Sequence, residues 1–227
     1  MLRFNHAPAP WGDFVEPKIN LPDVLRKEAH KAKGKRIMFS SVTDCYQPVE
    51  REFQITRECL KILSGQDCSI SILTKSALAM RDADLAGNFR QFAFGMSASF
   101  HNERTRLHFE KDSSTLDRKA ETLKTMKQAG AKTWAFISPV LPDITDFKAI
   151  LQKLSGFVDS VSFESYNPYP TTFETMKKSL SGAGIDSTRF FKQTKDPYYW
   201  QEMKVHAEEV CSDLGIEFDE FYIHSTS

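Results

Sequence analysis

Lys35-Arg-Ile-Met-Phe-Ser-Ser-Val-Thr-Asp-Cys-Tyr-Gln-Pro-Val-Glu-Arg-Glu-Phe-Gln-Ile-Thr-Arg57 is the stretch that decides how this chain reads. An apolar run, Ile37 to Phe39, passes into small hydroxyl residues and Asp44, then into Tyr46, Gln47, Pro48 and Glu50. A strand that ends in hydrogen-bonding side chains and runs into a helix is how barrels and open α/β sheets build their sites. A solvent-facing strand end would carry the same residues, so this stretch alone leaves both readings open.

The same unit recurs downstream. Apolar runs at 69–75, 92–99, 133–139 and 160–166 end in Lys75, Ser97, Ser138 and Glu164. With Asp44 these residues describe one polar rim at the strand C-termini, where parallel α/β architectures collect their sites. The pattern predicts strands at 37–42, 69–74, 92–98, 133–138 and 158–164, with a terminal strand at 216–223. Helices are expected over 22–33, 49–64, 115–128, 172–180 and 200–213, and one begun at Asp143 or Thr145 should reach Leu154. Ser113 or Ser114 is the expected cap of the helix over 115–128. Residues 1–21 read as an irregular lead-in and 100–114 as a loop. Strand-then-helix units spaced by 20 to 40 residues argue for parallel α/β topology in a single domain over 1–227.

Composition narrows the function classes. The 227 residues are 41% hydrophobic and 26% charged, which is globular rather than disordered. Thirty basic residues balance thirty acidic ones. No global field draws the chain to nucleic acid or to an anionic membrane, so any such contact needs a local patch. No apolar run reaches the length of a membrane span, which makes a cytoplasmic location the default expectation. The four cysteines, Cys45, Cys59, Cys68 and Cys211, show no CxxC spacing and read as free thiols, with Cys59 on a buried helix face. The aromatic groups Tyr166 to Tyr169 and Tyr198 to Trp200 could stack a base, or pack a helix against the sheet. Gly182 and Gly184 are too close together to form a phosphate loop.

The segment Thr43-Asp-Cys-Tyr-Gln-Pro-Val-Glu50, with Thr56-Arg57, Leu73-Thr-Lys-Ser76 and Arg81-Asp82, resembles the radical S-adenosylmethionine proteins related to spore photolyase. Arg118, Ala129-Gly130 and the run from Pro139 to Asp146 resemble later blocks of that family. The resemblance covers residues 11 to 146, and Cys45 stands where the family carries proline. It implies a partial (β/α)6 TIM-like barrel and makes Ser41, Thr43, Asp44, Lys75, Ser97 and Arg118 the candidate residues for holding S-adenosylmethionine. Cys45 is a weak catalytic candidate as a hydrogen-atom donor, because the family's donor cysteine aligns nearer Ser41.

The family also implies a [4Fe–4S] cluster held by CxxxCxxC, since soft thiolates are what iron requires. That triplet is absent from this sequence, so the expected barrel lacks the cluster loop and the first strand that carries it. Three readings remain. The chain is a degenerate relative unable to perform adenosyl-radical chemistry by itself. Alternatively, an upstream segment completes an active enzyme, with nucleic-acid repair as the implied process. Or the barrel binds a nucleotide, a nucleic acid or a protein partner without catalysis. An unpaired first strand would favour a homodimer through the sheet edge unless the lead-in covers it.

Overall fold

The computed structural model describes residues 14–40, 42–169 and 172–224. Leading from the N-terminal side, α1 (Leu21–Glu28) precedes β1 (Arg36–Phe39), and α2 (Glu50–Phe53) and α3 (Ile55–Leu63) precede β2 (Ser69–Thr74). A run of 3-10 turns, Ala77–Asn88, leads to β3 (Gln91–Ser97). Then follow α4 (Glu103–Phe109), α5 (Leu116–Gln128), β4 (Lys132–Val140), α6 (Phe147–Leu154) and β5 (Ser160–Ser165). The chain continues through α7 (Phe173–Gly182), α8 (Ser187–Thr194) and α9 (Pro197–Leu214) to β6 (Glu217–Tyr222).

The six strands form one sheet in the order β1-β2-β3-β4-β5-β6, and every pairing is parallel. Parallel neighbours in sequence order require crossovers, and right-handed crossovers in that order put all helices on one face. The burial pattern agrees. Ile70, Ile72, Phe94, Met96, Ala135, Ile137, Val161 and Phe163 form one core with Leu60, Leu63, Leu123, Met126, Ile150, Leu154 and Val210. On the opposite face Leu73, Trp134 and Phe136 are only half-buried. This is the partial (β/α)6 TIM-like barrel expected from the sequence.

Sequence explains most element ends. Asp146 accepts a hydrogen bond from Ala149 N (2.9 Å) and so caps α6, in place of the expected Asp143 or Thr145. Thr145 instead accepts from Leu141 N, 2.9 Å away. Thr115, rather than Ser113 or Ser114, caps α5 by accepting from Arg118 N (3.3 Å). The helix expected over 49–64 is broken in two, because Gln54 adopts the left-handed region with φ 49°. The segment 100–114, expected as a loop, contains α4, started by Asn102 accepting from Thr105 N at 2.8 Å. Polar composition hid that helix: buried Arg106 supplies the anchoring that an apolar stripe otherwise gives. The aromatic stretch 185–200 likewise folds into α8 and the start of α9, capped by Asp186 and Asp196.

Gly95 marks a close approach across the sheet. A Cβ there would lie 2.3 Å from the Trp134 ring, so glycine alone lets the indole lie across β3.

Candidate functional site

The residues of the 43–57 motif are first of all a scaffold. Asp44 Oδ1 accepts from Tyr46 N (2.8 Å) and Thr74 Oγ1 (2.7 Å), and its Oδ2 accepts from Lys75 N at 2.8 Å. That carboxylate therefore ties the loop after β1 to the end of β2. Tyr46 is buried and donates its hydroxyl to Asp82 Oδ2 (3.1 Å). Fully buried Asp82 also accepts from Arg57 (2.8 Å) and from Arg81 Nε (2.8 Å). Glu50 accepts from Thr56 N at 3.1 Å, capping α3, and from Arg81 at 2.8 Å. A buried charge is tolerated only when paired and fully hydrogen-bonded, and this network meets that condition. Both guanidiniums are held more firmly protonated than usual by their carboxylate hydrogen bonds, Arg57 through Asp84 and then Asp82, Arg81 through Asp82.

Beside this scaffold, a cavity of about 950 Å³ opens at the strand C-termini. Its walls include Asp44, Lys75, Arg81, Glu110 and Arg118. Lys75 Nζ pairs with Glu110 Oε1, while Glu110 Oε2 is buried and has no hydrogen-bond partner among the described residues. The 110–114 loop is fixed from behind by Arg106, which donates to the carbonyls of Glu110 (3.2 Å), Lys111 (2.9 Å) and Ser113. Arg118 is exposed and pairs with Glu121. Lys119 lies behind the wall, 3% exposed, donating to Ser97 O at 2.7 Å. Burial pushes its ammonium down to about 8.

Of the expected site residues, Asp44, Lys75 and Arg118 thus come together at one cavity. Ser97 does not line it. It is buried, its Oγ donates to Ser138 O (3.3 Å), and its carbonyl is the one Lys119 holds. Thr43 is exposed on a second cavity of about 410 Å³, beside β1 and α3, which Cys45 also lines. Ser41 lies outside the described residues, as does the lead-in over 1–13. Burial, and then Asp44, raise the Cys45 thiol well above its ordinary value, so it is held as S–H, and it does not line the first cavity.

The rim is therefore divided. Its other part joins Ser138, which pairs with Glu164, to His224, whose Nε2 lies 2.9 Å from Glu164 Oε1. Tyr166 and Trp200 are buried in packing against Phe190 and Phe221, while Tyr169 and Tyr198 are exposed. Glu110, Lys119 and His224 were not singled out from sequence. For Lys119 the signal was there: it precedes Thr122, Leu123 and Met126 on the buried stripe of α5, an unusual place for a lysine.

The fold has close counterparts among solved structures. Spore photoproduct lyase bound to AdoMet and dinucleoside spore photoproduct superposes with a TM-score of 0.66, covering 91% of this chain and 67% of that one at 13% identity. The same enzyme complexed with the dinucleoside spore photoproduct gives 0.63 over the same shares. The fold is that of spore photoproduct lyase. An uncharacterized protein of Methanocaldococcus jannaschii is 36% identical over 157 residues, 69% of this chain and 59% of that protein. An uncharacterized protein of Mycobacterium tuberculosis is 29% identical over 155 residues, 65% of this chain and 46% of that protein. The chain spans about half to three fifths of the length of these relatives. No family model matches.

The residues present do not fit an iron–sulfur cluster. Among the described residues no three His, Cys, Asp or Glu side chains group to hold a metal ion. Cys45, Cys59, Cys68 and Cys211 lie on separate elements, and burial raises each thiol, Cys59 and Cys211 to about 11. Cluster ligation needs thiolates brought together. No helix among the described residues is long and apolar enough to cross a membrane.

Proposed function

We propose that this chain binds S-adenosylmethionine at the Lys75–Glu110 cavity, as the cofactor-binding part of a radical S-adenosylmethionine-like protein related to nucleic-acid repair. One observation carries the reading. The cavity wall presents a cation, Lys75, beside a carboxylate whose second oxygen is buried and unpartnered. A zwitterionic amino-acid head needs that pairing: Lys75 and Arg118 would hold its carboxylate, and Glu110 its ammonium. The volume of about 950 Å³ is ample for the adenosine as well. Bound to a reduced cluster, S-adenosylmethionine supplies an adenosyl radical. The donor set of this chain does not fit that cluster.

The misfit of the thiols favours a second reading, in which the same cavity binds a nucleotide or nucleic acid without radical chemistry. Arg51 and Lys111 line the cavity without a carboxylate partner among the described residues, so they are available to phosphate. Calorimetric titration with S-adenosylmethionine separates the readings. We expect saturable binding that Lys75→Met and Glu110→Gln each weaken at least tenfold. No heat with S-adenosylmethionine, together with salt-sensitive binding of single-stranded DNA, would reverse the order.

A further inference from the structure

Ser138, Glu164 and His224 stand at the ends of β4, β5 and β6, and none of them lines the Lys75–Glu110 cavity. Glu164 accepts from Ser138 through Oε2, and His224 Nε2 lies 2.9 Å from its Oε1. His224 is itself fixed, because its backbone N donates to Ser165 Oγ at 2.9 Å. Each oxygen of Glu164 thus has one partner among the described residues, whereas an ionised carboxylate offers about four acceptor positions. The side chain is 32% exposed, so the unused positions are open to a ligand. A carboxylate held in place with one position to spare on each oxygen is a receptor for two neighbouring N–H donors. What lies beside it narrows the donor further. Glu164 and Tyr222 are partners in the β5–β6 register, so their side chains leave the sheet on the same face. Phe136 is on that face too, its ring 6.5 Å from that of Tyr222 and 6.0 Å from that of Trp134. This is the face opposite the helices, where Phe136 is half-buried and Tyr222 is 50% exposed.

We propose that Glu164 and Tyr222 form a base-recognition site, separate from the Lys75–Glu110 cavity, for a flat heterocycle with two adjacent N–H donors. Guanine is the nucleobase with that edge. Its ring stacks on Tyr222, and its N1–H and 2-amino group donate to the two oxygens of Glu164. Ser138 and His224 are the positioning residues that keep the carboxylate turned to the base. The other bases fit less well. Adenine and cytosine present one donor beside an acceptor, and thymine one donor between two acceptors, so an acceptor faces an oxygen of Glu164 in each case. A site built to take a donor rejects the analogue that lacks it, because the partner is left unpaired.

The test is two-dimensional amide NMR of the full chain titrated with guanosine and inosine 5′-monophosphates. The two differ only in the 2-amino group, so the ratio of their affinities cancels ribose and phosphate. We expect the guanosine nucleotide to bind about tenfold more tightly, with shifts centred on Glu164, Tyr222 and His224. Glu164→Gln should bring the ratio close to one. Tyr222→Leu should weaken both nucleotides about tenfold and leave the ratio as it is. Equal affinities in wild type, a preference that survives Glu164→Gln, or shifts centred on Lys75 and Glu110 would overturn the proposal. So would the failure of both nucleotides to bind, and saturable binding of argininamide in their place would then assign the carboxylate to a guanidinium. The site shares no residue with the Lys75–Glu110 cavity, so a failure of S-adenosylmethionine to bind there would leave this expectation intact.

Discussion

Tyr46 donates its hydroxyl to Asp82 Oδ2 at 3.1 Å, joining two motif residues 36 positions apart inside the core. The bond is one of several on that carboxylate, which also accepts from Arg57 and Arg81. Tyr46→Phe removes one donor to that buried carboxylate and should cost about 1.5–3 kcal/mol. Asp82→Ala strips a shared partner from two guanidiniums and should cost about 3–5 kcal/mol. Urea unfolding of both variants checks the ranking; equal costs would mean that the arginines do not depend on Asp82.

The contact between Gly95 and Trp134 yields a second expectation. Gly95→Ala puts a methyl 2.3 Å from the indole and should destabilise by about 1–3 kcal/mol. Combining it with Trp134→Leu should cost less than the sum of the two single changes. A thermal-melt double-mutant cycle measures that coupling, and strict additivity would contradict the packing described.

A third expectation concerns pH. The Lys119 ammonium titrates near 8 in the folded protein and near its ordinary value of 10.5 when unfolded. Between those limits the unfolded chain binds more protons, so this residue's contribution to stability rises with pH. The wild type should gain on Lys119→Met from pH 8 to 10.5, by up to about 3 kcal/mol. Chemical denaturation of both proteins across that range gives the difference. A flat difference curve would place the ammonium in solvent.

The thiols supply a fourth. All four are held above their ordinary values by burial, and three of the four side chains are in the core. Ellman's reagent at pH 8 should label fewer than one thiol per chain within minutes in the native state and all four after unfolding. Rapid labelling of Cys45 in the native protein would show its loop to be open.

The sheet was legible because its strands announce themselves twice, as apolar runs and by their polar ends. The strands at Ser69–Thr74, Gln91–Ser97 and Lys132–Val140 fall within two residues of the expected bounds. Asp44, Lys75 and Arg118, expected at the rim because they follow strands or open a helix, line one cavity for the same reason. Glu110 was not legible, because its meaning comes from Arg106 fixing the loop beneath it, and a lone glutamate in a polar stretch carries no such mark. Ser97, expected beside them, does not line that cavity. A strand-end serine looks like a ligand-facing hydroxyl, yet its carbonyl is the atom that the structure uses. The break at Gln54 also escaped notice, because a non-glycine residue in a left-handed conformation leaves no pattern in the chain.

Arg106 holds the 110–114 loop by its carbonyl oxygens, a group that every residue type possesses. The path of that loop is therefore indifferent to what Lys111 and Asp112 carry as side chains. Those two positions can drift, or be redesigned to favour another guest, while the frame around the cavity keeps its shape.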